Sequence, residues 1–273
     1  MFRASPVFAL PAQPPQPHTA LGAASMTQLL IINPNTNARV TQLLQHHAQA
    51  SAGFGVVIRA VTARFGAPYI SCEASYLVAG HATLDAWAAA LASPQPPPDA
   101  VLIGCFGDPA LLALRGASAA PVTGLAEAAF IEAAAHGRFA VVTGGARWRP
   151  MLLRLAHALG VGDALADVVT VNATGAELLA DPVAARALLA RTCQQAAQTL
   201  GVQAVVLGGA GLAGMAADIQ AAVGVPVVDS VLAGVRHAVR LADQSRATPA
   251  GVGGFDIAWQ HVSVELAALG RPV

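Results

Sequence analysis

The chain has 273 residues, 55% of them hydrophobic and only 11% charged, with zero formal net charge and a pI near 7.1. That balance suits a well-buried α/β protein and excludes a basic stripe for nucleic acid or a polybasic patch for a membrane. Three cysteines (Cys72, Cys105, Cys193) share no metal-type spacing, the eight histidines are scattered, and the odd cysteine count argues against a disulfide framework.

Residues 1–25 hold Pro6, Pro11, Pro14, Pro15 and Pro17 without hydrophobic periodicity, so a disordered extension is expected. Pro11 interrupts the apolar stretch from Val7 to Leu10, which leaves no signal-peptide core, and a cytoplasmic protein is expected. Gln28 to Asn33 reads as a buried strand running into the polar turn Pro34-Asn35-Thr36-Asn37 and a helix from Ala38 to Ala50. Val56 to Val61 is the next strand. Gly66 to Glu73 is a loop ahead of an Ala-rich helix to Leu91, and Pro94 to Pro98 is a surface connector.

The stretch from Asp99 to Pro109 carries most of the chemistry. Val101 to Gly104 is a short apolar run, a buried strand that ends in the Cys105 thiol, and Gly107 lets the backbone turn sharply. Asp108-Pro109 reads as an N-cap with proline at the first helical position, opening a helix through Leu111, Leu112 and Leu114. Cys105 is therefore expected at the carboxyl end of a parallel strand, just before a helix N-terminus. Open α/β sheets place their ligands there, and the helix dipole lowers a thiol's pKa.

Beyond it, Ala120 to Gly124 is a short strand, followed by a helix carrying Glu127 and Glu132. Arg138 to Thr143 is a strand that breaks at Gly144-Gly145, a helix runs from Pro150 to Leu159, and Val168 to Val171 is a strand. The helix Pro182 to Leu200 leads to the strand Gln203 to Gly208, then Val225 to Asp229, then a last long helix from Val231 to Ala242. Strands alternate with helices throughout, which predicts an α/β fold with parallel sheets. Glu127 reads as a helix cap, Arg147 and Arg149 as solvated surface charges, and Cys193 as a packed small hydrophobe.

The chain contains itself twice. Asp99 to Gly107 lines up with Gln203 to Gly211, at the 104-residue offset that takes Cys105 to Gly209. Leu29 to Asn33 matches Phe139 to Thr143 at an offset of 110, and Pro121 matches Pro226 at 105. Two pseudo-twofold lobes are expected, 27–125 with C-terminal helices over 231–270, and 126–230. Each is a small parallel sheet, and strand ends from both line the cleft between them. Cys105 occupies one of two equivalent positions flanking a ligand; Gly209 occupies the other.

These motifs resemble the aspartate/glutamate/hydantoin racemase superfamily, and within it the hydantoin and allantoin racemase branch. The matching pieces are Asn33-Pro34-Asn35-Thr36, Gly66-Ala67-Pro68 through Glu73, Cys105-Phe106-Gly107-Asp108-Pro109 and Pro121 through Glu127. Val141 to Thr143, Leu207 through Ala213 and Pro226 to Asp229 complete them. The resemblance implies a cofactor-independent enzyme in which one thiolate removes the proton α to a carbonyl and an opposite thiol returns one. It implies substrate contacts from Asn33, Asn35, Thr36, Phe106, Gly107, Asp108, Thr143, Gly144, Ala210 and Gly211, with charge on the enolate held by hydroxyls and turn amides. It further implies a small-molecule substrate; the residue spacings give no metal site, and the low charge content leaves apolar surface for a homo-oligomer.

The departure is that the family's second cysteine falls on Gly209. Four readings follow. The first is a racemase or isomerase of hydantoin-type or allantoin-type derivatives with Cys105 as one base. The second is a single-cysteine decarboxylase of disubstituted malonates, as arylmalonate decarboxylase is in this superfamily, protonating an enolate from Cys105. The third uses Cys105 as a nucleophile on an activated double bond. The fourth is a binding homologue that kept the cleft and lost turnover.

Overall fold

The strand segments 29–32, 100–103, 140–142 and 204–207 are uninterrupted runs of Val, Ile, Leu and Ala, and such strands are buried on both faces by helices. The computed structural model describes residues 26–173, 175–245 and 253–270; the expected disordered extension, 1–25, lies outside them. The first half comprises β1 (Thr27–Asn33), α1 (Ala38–Ser51), β2 (Val56–Thr62), α2 (Glu73–Leu91), β3 (Ala100–Ile103), α3 (Leu111–Ala117) and β4 (Val122–Gly124). After α4 (Leu125–Ala134) come β5 (Phe139–Gly144), α5 (Trp148–Ala158), β6 (Leu165–Val171), α6 (Gly175–Ala180) and α7 (Pro182–Leu200). The chain ends with β7 (Ala204–Gly208), α8 (Met215–Val223), β8 (Val227–Asp229), α9 (Ser230–Ser245) and α10 (Val264–Ala267).

Two all-parallel four-stranded sheets result, in the orders β2-β1-β3-β4 and β6-β5-β7-β8. Their registers repeat the sequence offsets: Leu29 pairs with Ala100 as Phe139 pairs with Ala204, and Val101 pairs with Val122 as Val205 pairs with Val227. The duplication is therefore structural as well as sequential.

The lobes exchange helices. α4 follows β4 but packs on β7, whereas α9 follows β8 and packs on β3, and the two helices lie against each other. Gly234 of α9 permits this approach, since a Cβ there would stand 2.9 Å from Leu125 and 3.0 Å from Leu102. One continuous core cluster consequently runs through both lobes, including Leu102, Cys105, Phe106, Phe130, Phe139 and Val206.

One local expectation is corrected. Asp108-Pro109 does not cap α3: the helix opens at Leu111 behind Ala110, which is left-handed at φ 68°, and Asp108 is itself at φ 52°. The Asp108 carboxylate instead accepts from the amides of Ala126 (2.9 Å) and Glu127 (2.7 Å), the N-terminus of α4. Gly124 leaves the space for it, because any Cβ at that position would collide with the carboxylate. In the second lobe the equivalent amides, Val231 and Leu232, are capped at 2.9 and 3.1 Å by Asp229, the duplicate of Gly124. The same cap is built from two different sequence positions.

Candidate functional site

A cavity of about 430 Å³ opens where the carboxyl ends of β3, β5 and β7 converge from the two lobes. Cys105, Phe106, Thr143, Gly144, Gly209, Ala210, Gly211 and Asn35 line it, so the structure brings together eight of the expected site residues. Asn33, Thr36, Gly107 and Asp108 do not line it.

Each of those four departures has a physical reason. Asn33 is fully buried, and its Nδ2 donates to Asn35 Oδ1 (3.0 Å), the Asn37 carbonyl (3.1 Å) and Thr41 Oγ1 (3.0 Å). It shapes the turn rather than meeting a ligand. Thr36 turns its amide to the Ala67 carbonyl at 3.1 Å. Gly107, at φ 143°, lies beneath the Trp148 ring where a Cβ would collide, and its carbonyl accepts from the Tyr76 hydroxyl at 2.9 Å. Asp108 is spent on α4, as described above.

What remains in the cavity has defined hydrogen-bonding capacity. Asn35 Oδ1 already accepts from Asn33 Nδ2 and from the Asn37 amide (2.9 Å), so Asn35 has its Nδ2 left to donate. Thr143 Oγ1 donates to the Gly208 carbonyl at 2.7 Å and so offers a ligand only lone pairs. It can take an N–H; it cannot hold an oxyanion. The Gly209 amide is committed to Ser230 Oγ at 3.2 Å. The next two amides, Ala210 and Gly211, open a short 3-10 turn (Ala210–Leu212) and have no backbone acceptor among the described residues.

Cys105 is 8% exposed. Burial pushes its thiol well above the ordinary range, and the Asp108 carboxylate adds to the effect. This corrects the expected depression: α3 begins six residues later, and the α4 N-terminus is neutralised by Asp108. The thiol is held neutral, with its proton in place. The turn carrying it is clamped, with the Phe106 ring packed over Gly208 and edge-to-face on Phe130 at 5.8 Å. Gly208 must be glycine, because a Cβ would strike the Phe106 ring.

The other cysteines lie elsewhere. Cys72 caps α2, does not line the cavity, and has its pKa lowered to about 7, chiefly by the Ser75 hydroxyl. Cys193 is buried in the second-lobe core with Val142 and Leu189, and burial raises its pKa. Glu127 is structural, accepting from Arg115 at 2.6 Å and Thr123 at 2.8 Å. Among the described residues no cluster of three His, Cys, Asp or Glu side chains is placed to hold a metal ion, and no helix is long and apolar enough to cross a membrane.

Sequence reasoning missed Trp148, Tyr69, Arg39 and Leu178, all of which line the cavity. For Trp148 a signal exists, since α5 begins 110 residues after α1 and its first turn must face the same cleft. Leu178 lies on α6, which has no counterpart in the first lobe.

Two duplicated parallel lobes, with a thiol at one strand end and its duplicate position across the cleft, define a racemase-type isomerase. Residues 29–238 match the Asp/Glu/hydantoin racemase family, and the chain belongs to it. It is 32% identical over 215 residues to hydantoin racemase from Paenarthrobacter aurescens, covering 78% of this chain and 90% of that protein. Allantoin racemase from Klebsiella pneumoniae superposes with a TM-score of 0.80 at 28% identity, covering 88% of this chain and 98% of that one. A glycine-to-cysteine mutant of arylmalonate decarboxylase shares the fold, with a TM-score of 0.54 at 20% identity over 83% of this chain and 99% of its own.

Proposed function

We propose that this enzyme moves a proton, without a cofactor, at a carbon α to a carbonyl in a small hydantoin-type or allantoin-type amino-acid derivative. Cys105 is its one thiol acid/base. The pairing of Cys105 with Gly209 at duplicate positions carries this reading: one face of the bound carbon meets a thiol and the other meets none. The likeness to hydantoin and allantoin racemases supports the substrate class.

The chemistry follows from the groups available. Asn35 Nδ2 and the amides of Ala210 and Gly211 donate to the carbonyl oxygen on which enolate charge develops. Thr143 Oγ1 accepts a ring N–H. Cys105 first gives its resting proton to solvent; the thiolate then takes the α-proton, leaving the C–H electron pair in the enolate, and after the new S–H has exchanged with solvent the return step reverses this. The Gly209 face has only water to return a proton, a slower route than the thiol, so exchange with retention dominates.

The neutral thiol favours a second reading. A disubstituted malonate would lose CO2 with its C–C electron pair left as the enolate, and Cys105 S–H would protonate the carbon and regain its proton from solvent. The departing group would face the apolar wall of Gly208, Gly209, Ala210 and Leu212.

The test is incubation in deuterated water with single enantiomers of 5-substituted hydantoins and allantoin, following α-proton exchange by NMR together with optical rotation. Exchange that is lost in Cys105→Ser supports the proposal. No exchange of any of these substrates, with turnover of an arylmethylmalonate, replaces it with the decarboxylase reading.

A further inference from the structure

The duplication shows which charge in the cleft has lost its partner. Among the described residues, Arg39 is the one charged side chain that lines the cavity, in the first turn of α1 beside Asn35 and Asn37. Its duplicate, 110 residues on, is Arg149 in the first turn of α5, and Arg149 pairs with Asp167 on β6 at 2.8 Å. The strand position corresponding to Asp167 is Arg59: Leu30 pairs with Arg59 as Ala140 pairs with Asp167. In the first lobe the partner carboxylate is thus replaced by a second cation, which turns away to Ser93 Oγ at 2.8 Å. Arg39 makes no ion pair among the described residues; Arg59, Arg138, Arg147, Arg191 and Arg240 make none either, but none of those five lines the cavity.

We infer that Arg39 is a specificity-determining residue that pairs with a carboxylate on the substrate, so that the cleft selects an anionic α-carbonyl compound. This rests on the proposed function and adds a substituent to it. With the acidic carbon at Cys105, the ring's acidic side chain extends toward the first turn of α1. There the guanidinium offers a two-pronged donor to the carboxylate, beside the Asn37 side chain. The remaining walls on the second-lobe side, Leu178, Ala180 and Leu212, are apolar and offer no competing charge.

The experiment compares α-deuteron incorporation into 5-(carboxymethyl)hydantoin and neutral 5-methylhydantoin by wild type, Arg39→Ala and Arg39→Lys. Arg39→Ala is expected to raise KM for the carboxylate substrate about tenfold with kcat little changed, and to leave the neutral substrate unaffected. Arg39→Lys should recover part of that loss. An equal effect on both substrates, or none on either, overturns the inference. Calorimetric titration of wild type and Arg39→Ala with succinate tests it independently of turnover. Wild-type binding that Arg39→Ala loses upholds the carboxylate site even if no substrate exchanges, a case in which only the proposed function fails. Equal binding, or none, overturns the site.

Discussion

Gly209→Cys would place a thiol at the duplicate of Cys105, and its consequences separate backbone from chemistry. The two positions correspond in register but not in conformation. Gly209 sits at φ 144°, whereas Cys105 is outside the left-handed region. Space is not the obstacle, since a Cβ at 209 meets only Leu212, at 3.4 and 3.5 Å. The cost is therefore backbone strain, about 1–3 kcal/mol for a non-glycine residue in such a region. At roughly 2–4 °C per kcal/mol for a chain of this size, the melting temperature should fall by about 2–12 °C. Differential scanning fluorimetry measures that loss, and polarimetry with NMR in deuterated water measures the gain. Wild type should exchange the α-proton mainly with retention, and the variant should add inversion from the new face. An unchanged melting temperature would refute the strain argument. A folded variant that still exchanges with retention alone would refute the placing of Gly209 opposite Cys105.

Two further outcomes are expected. Iodoacetamide at pH 7.5 should alkylate Cys72, whose pKa is lowered to about 7, well before the buried Cys105 and Cys193, as peptide mass spectrometry would show. Preferential labelling of Cys105 would contradict the neutral, buried thiol. Burial pushes Asp108 up to about 7 from an ordinary 3.8, so the folded state binds an extra proton between those values and its stability falls as pH rises through them. Urea unfolding should therefore find the Asp108 contribution about 3 kcal/mol smaller at pH 8 than at pH 5, a slope that Asp108→Asn removes. Parallel pH profiles for wild type and variant would show that the carboxyl is not buried as described.

The fold was legible because its signals are local and repeated: apolar runs mark the strands, and offsets of 104, 105 and 110 predict both sheets and their registers. Cys105 was legible because it ends such a run. Asp108 was misread because Asp-Pro is a local capping signal, whereas its carboxylate reaches amides 18 and 19 residues away. The thiol's pKa was misread because the helix whose dipole was assumed, α3, opens only at Leu111, while the burial that raises the pKa comes from neighbours across the fold. Asn33 and Thr143 were recognised as strand-end polar groups, but which of their atoms are already engaged depends on neighbours at different separations. The Asn33 side chain bonds two to eight residues away, whereas Thr143 reaches Gly208, 65 residues on. The Trp148 wall comes from the other lobe, where only the 110-residue duplication points to it, and the Leu178 wall from an insertion that no motif announces.

The aromatic contacts across the lobes also govern how a ligand arrives. Trp148 of the second lobe rests on Gly107 of the first, and Phe106 of the first rests on Gly208 of the second, both within one shared core. Swinging the lobes apart would wet both rings, and exposing half of each costs about 5 kcal/mol at roughly 25 cal/mol per Å². A jaw held that firmly gapes in about one molecule in several thousand. Traffic through the cleft then depends on side chains at its rim, Arg39 and Tyr69 among them, and association rates should respond to changes there more than to solvent viscosity.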